Sequence, residues 1–253
     1  SAGIDALQID IGYRDHYYSP FKNGGSLISD NARNSPSITI SNSKPFEFFD
    51  TNYEIFISQL AKVNGISHYI TPTQSVPESG TPKMLGMHLD FSLFEGLEIG
   101  LDRTMQFGGR PGTDSIWSAF FNPYKSDNNN IQTTESANSE TGNQEAGFTV
   151  KYSNILNHRI PFSLYGTYIG EDTIGTKYKP WMVGNVTKGF GIYLPFVTPK
   201  LSARYEYLDV SDAWYVHHIY TEGYRNYGSV MGGWYGDVLY RPGGSYSIGA
   251  TGT

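Results

Sequence analysis

Residues 83–109 read KMLGMHLDFSLFEGLEIGLDRTMQFGG. Apolar side chains fall at Leu85, Met87, Leu89, Phe91 and Leu93, with Gly86, His88, Asp90 and Ser92 between them. After Glu95-Gly96 the pattern resumes, with Leu97, Ile99 and Leu101 set against Glu98, Gly100 and Asp102. A period of two marks β-strands with one oily face and one wet face. The Glu-Gly break predicts a hairpin, because glycine tolerates the positive φ of a tight turn. Soluble strands run about five or six residues, whereas a strand tilted through a bilayer needs roughly 9–11. These two have membrane length, and they predict an all-β fold: an antiparallel, up-and-down outer-membrane β-barrel.

Composition agrees. Charged residues are 17% of the 253, below the usual level of about a quarter. Glycine (29), tyrosine (20) and phenylalanine (14) are abundant. No apolar run reaches the roughly 18 residues that a transmembrane helix needs, but a barrel signal is spread over many short segments. There is no cysteine, so no disulfide framework and no thiolate metal site. A net charge of −6 speaks against a nucleic-acid partner, which would call for basic patches. The chain starts and stops within its pattern, and we read it as one incomplete β-barrel domain, residues 1–253, from a longer protein.

Outward from the central hairpin the alternation recurs. Expected strands carry Leu7, Ile9, Ile11 and Tyr13, then Ile38 and Ile40, then a span at 46–60. Beyond the hairpin they carry Phe148 and Val150; Ile160, Phe162 and Leu164; Phe190, Ile192 and Leu194; Leu201, Ala203 and Tyr205; and a start near Tyr246. That makes about ten strands. The connections alternate between long (14–36, 64–82, 108–145, 170–184, 209–244) and short (42–45, 95–96, 153–159, 195–199). An antiparallel meander places successive connections at opposite ends, so every long loop shares one end, as in outer-membrane barrels with short periplasmic turns and long extracellular loops. Residues 126–145, rich in Asn, Ser and Thr with acids but no Lys or Arg, are expected to be a mobile polar loop. Residues 115–121 are expected to form one or two helical turns. Arg103 shares parity with Leu97, Ile99 and Leu101. An Arg on the lipid face at mid-bilayer costs about 2–4 kcal/mol, so it is expected at the outer headgroup level.

The segments at the long-loop end resemble those of the Wzi family of capsule-assembly proteins. They are Gly12-Tyr13-Arg14-Asp15-His16-Tyr17-Tyr18-Ser19-Pro20, Met105-Gln106-Phe107-Gly108-Gly109, Phe121-Asn122-Pro123, Gly170-Glu171-Asp172-Thr173, and Trp214-Tyr215-Val216-His217-His218-Ile219-Tyr220 running on to Gly223-Tyr224-Arg225-Asn226. The resemblance implies a larger barrel of about 18 strands, within the range of such proteins. It further implies an N-terminal helical bundle and terminal strands that lie outside this sequence. It also implies a monomeric outer-membrane lectin, without enzyme activity or cofactor, that binds capsular polysaccharide or exopolysaccharide at the surface of a Gram-negative bacterium, with lipid around it. A saccharide channel or exporter on the same barrel is the alternative.

The shared loop end gathers Arg14, Asp15 and His16; Arg110; Glu171 and Asp172; Trp214, His217 and His218; Tyr224 and Arg225. Flat aromatics stack on sugar C–H faces, and Arg pairs bidentately with uronate carboxylates, so the set suits an acidic polysaccharide. The plainer alternative is that these charges pair with one another to hold the loops over the mouth. His217-His218 invites a zinc reading, but neighbouring strand residues point to opposite faces, which makes them poor co-ligands unless the loop is irregular, and no metal site is expected. Glu171-Asp172 has the residue types of a glycosidase pair, yet adjacent loop acids are commonplace. No serine sits in a Gly-x-Ser-x-Gly elbow. The aromatic loop 209–244 carries too many rings to stand free in water. It is expected to fold into the barrel mouth, with Arg225 and His217 meeting Glu171, Asp172 or Asp15.

Overall fold

The computed structural model describes residues 1–22, 25–121, 133–156, 160–173, 183–210, 216–232 and 243–252. The alternation is realised as an eleven-stranded antiparallel sheet. Its strands are β1 (Ala2–Ile4), β2 (Leu7–Tyr13), β3 (Pro36–Ser41), β4 (Asn52–Gln59), β7 (Lys83–Phe94), β8 (Leu97–Phe107), β9 (Gly142–Leu156), β10 (Ile160–Thr173), β11 (Val183–Thr198), β12 (Leu201–Val210) and β15 (Gly243–Gly252). Spatial order follows chain order. Two hairpins stand apart from it, β5 (Val63–Thr71) with β6 (Gln74–Gly80) and β13 (Arg225–Asn226) with β14 (Ser229–Val230). Among the described residues the sheet is not closed; β1 and β15 are its outermost strands.

The cross-strand register sorts the two faces. One row runs Tyr53, Leu89, Leu101, Phe148, Tyr168 across five strands. Four of these, from Leu89 to Tyr168, are 36–44% exposed, so a band of large apolar side chains faces outward. The next row, on the opposite face, runs Glu54, His88, Asp102, Gly147, Ile169, Thr187. That polar face is covered. Tyr18, Phe21, Leu27, Ile28 and Ala32 from the β2–β3 loop, with Tyr224 and Met231 from the β12–β15 connection, pack on Phe56, Met84, Tyr165, Ile169 and Leu208. The main core therefore lies between a sheet and its own loops. We call the covered face inner and the oily face outer.

Leu85, Met87, Leu89 and Phe91 share the outer face, as the alternation requires, but a register shift between Ser92 and Phe94 breaks the pattern at Leu93, and the end of this face near the long loops is not bare. The helix α1 (Ile116–Phe121) lies over it, and Ala119 and Phe120 pack on Leu85, Met105, Phe107, Ile55, Ile57 and Met87. Arg103 is on this face too. Its Nη2 donates to the Ala119 carbonyl at 2.8 Å and to Gln144 Oε1 at 3.3 Å. A helix end gives the guanidinium carbonyl partners, which is how a cation is accommodated among apolar neighbours.

Several boundaries differ from the sequence reading. β4 starts at Asn52, because Phe49 and Asp50 take positive φ and turn the chain through 46–51. The stretch 64–82 holds the β5–β6 hairpin, with Pro77 tolerated on a strand that has one partner. Part of the polar segment 126–145 is ordered. The Thr133 side chain caps the helix α2 (Thr134–Ser139) by accepting from the Ser136 amide, and β9 is already under way at Gly142. Its remainder, 126–132, lies outside the described residues. Pro195 falls inside β11, at a register irregularity between Leu194 and Thr198.

Phe56 is buried at 1% exposure, and its ring lies where a Cβ on Gly86 would meet it at 2.0 Å. On its other side it stacks on His16, centroids 3.6 Å apart. Gly86→Ala should therefore expel the ring and lower stability by about 1–3 kcal/mol, read as a shifted urea midpoint. An unchanged midpoint would show that the inner wall yields freely.

Candidate functional site

Carboxylates on the inner wall fasten the β2–β3 loop: Glu206 on β12 accepts from the Lys22 amide at 2.8 Å, and a second carboxylate holds the start of the loop. Glu54 on β4 binds Arg14 Nη2 at 2.8 Å, His16 Nδ1 at 2.7 Å and the Tyr18 hydroxyl at 3.0 Å. Arg14 also reaches Asp10 at 2.9 Å. Tyr18 stacks on His88, whose Nδ1 lies 2.6 Å from Asp102. Burial pushes the Tyr18 hydroxyl well above its ordinary pKa, so it remains a donor to Glu54. Two candidate contact residues, Arg14 and His16, are thus structural clasps. Asp15 is exposed and accepts from Asn34 at 2.6 Å.

A second junction is held by Arg110, which is 3% exposed. It donates to the carbonyls of Glu140 at 2.7 Å and of Ser67 and Ala137 at 3.4 Å, so one guanidinium joins β5 to the α2 segment. Here the expectation that His217 and His218 diverge fails. The backbone is irregular at 216–219, and both side chains reach Glu140, at 3.5 Å and 2.6 Å respectively. His217 was also expected to meet Glu171, Asp172 or Asp15, and its carboxylate partner is Glu140. Burial first, then His218 and Arg110, hold His217 well below the usual histidine pKa.

Tyr224 is fully buried, and its hydroxyl donates to the Asn143 carbonyl at 3.0 Å. Among the described residues the partner of Arg225 is none of the acids expected for it. Its Nη1 donates to the Gly228 carbonyl at 2.8 Å, closing its own hairpin turn. Glu171 is not a loop acid: it sits buried near the end of β10 and accepts from Asn185. Asp172 belongs to the same strand, but its side chain lies outside the described residues, as does all of Trp214.

An exposed surface remains where the two inner-face loops meet. Asn226 donates to the Arg33 carbonyl at 2.6 Å and to Ser35 Oγ at 2.8 Å, and it accepts from the Ala61 amide. Ser29 and Asn31 add bonds to the carbonyls of Gly232 and Val230. This lacing sets the Arg33 guanidinium 4.8 Å from the centre of the Tyr227 ring, a cation–π pair. Tyr227 is 52% exposed and has φ 50, ahead of Gly228 at φ 83. A bulky residue in left-handed backbone is unusual, and such conformations gather at binding sites. Arg33, Asn34 and Tyr227 were not singled out from sequence. The available signal was Tyr227-Gly228, a two-residue turn inside the aromatic loop.

At the short-turn end, a cavity of about 440 Å³ on the inner face is lined by Asp50, His88, Asp90, Glu98 and Lys151, among others. Its acids make it a poor place for an anionic ligand. The surface at the loop junction has the opposite character.

The Caps_assemb_Wzi family model, described as capsule assembly protein Wzi, matches residues 1–238. The chain belongs to the Wzi family. A solved Wzi from Escherichia coli, described as an outer-membrane, carbohydrate-binding β-barrel involved in group 1 capsule assembly, superposes with a TM-score of 0.67 at 21% identity. That alignment covers 97% of this chain and 51% of the other, so the chain spans about half the length of the solved barrel. An uncharacterised 55.8 kDa protein of the cps region of Klebsiella pneumoniae is 30% identical over 123 residues, which is 49% of this chain and 21% of the relative. Sheet order, face segregation and family agree.

Two consequences are measurable. Arg110→Ala leaves buried carbonyls unpaired, costing about 1–3 kcal/mol; hydrogen exchange should rise across 63–71 and 134–140 while β7 and β8 keep their protection. A neutral His217 gives the second. Above its unfolded pKa of about 6.5 the docked loop has its full stability, which is lost as the pH falls toward the depressed folded value. Amides 216–224 should therefore exchange faster at pH 5.5 than at pH 7.5, after correction for intrinsic rates. Equal protection at both would mean that His217 does not titrate with docking.

Proposed function

We propose that this chain is part of an outer-membrane, monomeric, lectin-like barrel of a Gram-negative bacterium. It binds acidic capsular polysaccharide or exopolysaccharide at the cell surface and acts by binding, without catalysis. The observation that carries this reading is the exposed Tyr227–Arg33 pair, held by both loops that cover the inner face. An aromatic ring offers a stacking platform for sugar C–H faces, and a guanidinium offers paired donors to a uronate or other acidic substituent. Asn34, next to Arg33 in sequence and bonded to Asp15, and Arg225, which closes the turn that carries Tyr227, adjoin it. Family membership supports the substrate class, and the long loops are then extracellular.

The outer face supports lipid as the second partner. Ile11, Ile38, Leu101, Phe148, Leu164 and Phe190 are 44–78% exposed, far more contiguous apolar surface than water tolerates. Trp117 and Phe121 on α1 are 69% and 68% exposed and stack at 5.8 Å, as befits an aromatic belt at the headgroup level. The channel alternative is disfavoured by the hydrophobic packing of loops on the inner face.

Arg33→Ala should weaken binding to an acidic polysaccharide about tenfold or more, the loss of one charge-assisted bond, and leave a neutral one nearly unchanged. Tyr227→Ala should weaken both. Glycan-array or calorimetric binding of the full-length protein reads this directly. Parental affinity for both ligands in both variants would place the glycan elsewhere.

A further inference from the structure

The junction of Glu140, His217 and His218 has an arrangement that the glycan reading does not use. The Glu140 carboxylate is 6% exposed, and it is met by two imidazoles from a segment 77 positions further along the chain. One donor atom from each of the three lies within 4.8 Å of the other two. In a tetrahedral zinc site with bonds of about 2.0–2.1 Å, ligand atoms stand about 3.4 Å apart. His218 Nε2 lies 2.6 Å from one Glu140 oxygen, Oε2, and His217 Nε2 lies 3.5 Å from the other, Oε1, so metal binding must open the short contact and turn the carboxylate to share one position with both imidazoles. The three donor atoms, within 4.8 Å of one another, draw together by side-chain rotation.

We propose that these three residues form a divalent transition-metal site, best suited to zinc, that staples the β8–β9 and β12–β15 connections together. Two imidazoles and one carboxylate, with a fourth position left open, are an established zinc donor set. A single carboxylate is too few hard oxygens for calcium or magnesium, which take six or more oxygen ligands. The absence of cysteine removes the soft donors that select copper(I). Arg110 braces the site from behind, since it holds the Glu140 carbonyl at 2.7 Å and leaves the carboxylate to the histidines. Tyr69 and His218 lie edge to face at 6.1 Å, which restrains the less buried ligand. One local bond must yield. The Ile219 amide donates to His217 Nδ1 at 3.3 Å, so metal at Nε2 requires the imidazole proton to sit on Nδ1 and that contact to part. The fourth position opens on the His218 side, where the side chain is 30% exposed, and water would fill it.

The site stands apart from the Tyr227–Arg33 surface, so either proposal survives failure of the other. The test uses the full-length protein in detergent at pH 7.5, stripped with EDTA and titrated with zinc chloride by calorimetry. One equivalent should bind, and the melting temperature should rise as zinc is added. Glu140→Gln keeps hydrogen-bonding capacity and removes the anionic ligand; it should lower zinc affinity at least about tenfold, and His217→Ala with His218→Ala about a hundredfold or more. His68→Ala, outside the cluster, should bind as the parent does. Cobalt(II) should give the intense visible bands of a four-coordinate ion in the parent and not in the double variant. Calcium and magnesium should give no saturable heat. Absence of stoichiometric zinc binding overturns the proposal. So does parental affinity in Glu140→Gln or in the double variant, since zinc would then be held elsewhere. Parental heat-modifiable mobility in gels shows that each variant has folded.

Discussion

Glu54 is the point on which the inner architecture turns. A strand with one oily face turns its other face inward, and here that face opens with polar groups: Glu54, His88 and Asp102 follow one another across the sheet. Even a half-buried carboxylate needs charged or hydrogen-bonding partners. Arg14, His16 and Tyr18 supply them from a single loop. The requirement to satisfy Glu54 thereby draws the loop inward, and with it come Phe21, Leu27 and Ile28, whose burial completes the core. Polar clasp and apolar packing are parts of one event.

The same logic is repeated at each layer of loop. Arg110 satisfies three carbonyls, Asn226 laces three segments, and Tyr224 spans to Asn143. Each is buried, and none is free to touch a ligand. What they accomplish is to hold a rigid platform, so that the few side chains left outside are held in fixed places. Tyr227 in left-handed backbone, with Arg33 against its ring, is the clearest of these. Preorganisation of this kind lowers the entropy lost on binding a flexible polymer.

The strand ladder was readable because its signal is local. Leu89, Phe91, Ile99 and Leu101 declare their face by parity alone, and the Glu95-Gly96 turn fixes their pairing. The β5–β6 hairpin was hidden by three prolines and by the absence of apolar alternation. Helix α2 was hidden by its polar composition, although the Thr133 cap stands in the sequence. For the site, the chain showed which residue types lie at the loop end but not which would be consumed in clasping. Arg14 and Arg33 read alike as loop arginines. Only their placement, one against Glu54 and the other beside an exposed ring, separates the fastening arginine from the one left at the surface. His217 and His218 converge on one carboxylate because their segment is irregular, the one case in which strand parity does not separate neighbours.

The proposed barrel requires a sheet whose outer face meets lipid and whose inner face is filled by loops. With no cysteine in the chain, single cysteines can be placed in turn from 97 to 105 along β8 and labelled with a nitroxide in liposomes. Relaxation by oxygen, which dissolves in the bilayer, should be strong at 97, 99 and 101 and weak at 98, 100 and 102. It should fall again at 103 and 105, where α1 covers the strand. A water-soluble nickel complex should not reach 99 or 101. Strong relaxation of those two positions by the nickel complex, or oxygen access without a period of two, would contradict the membrane-facing sheet and everything built on it.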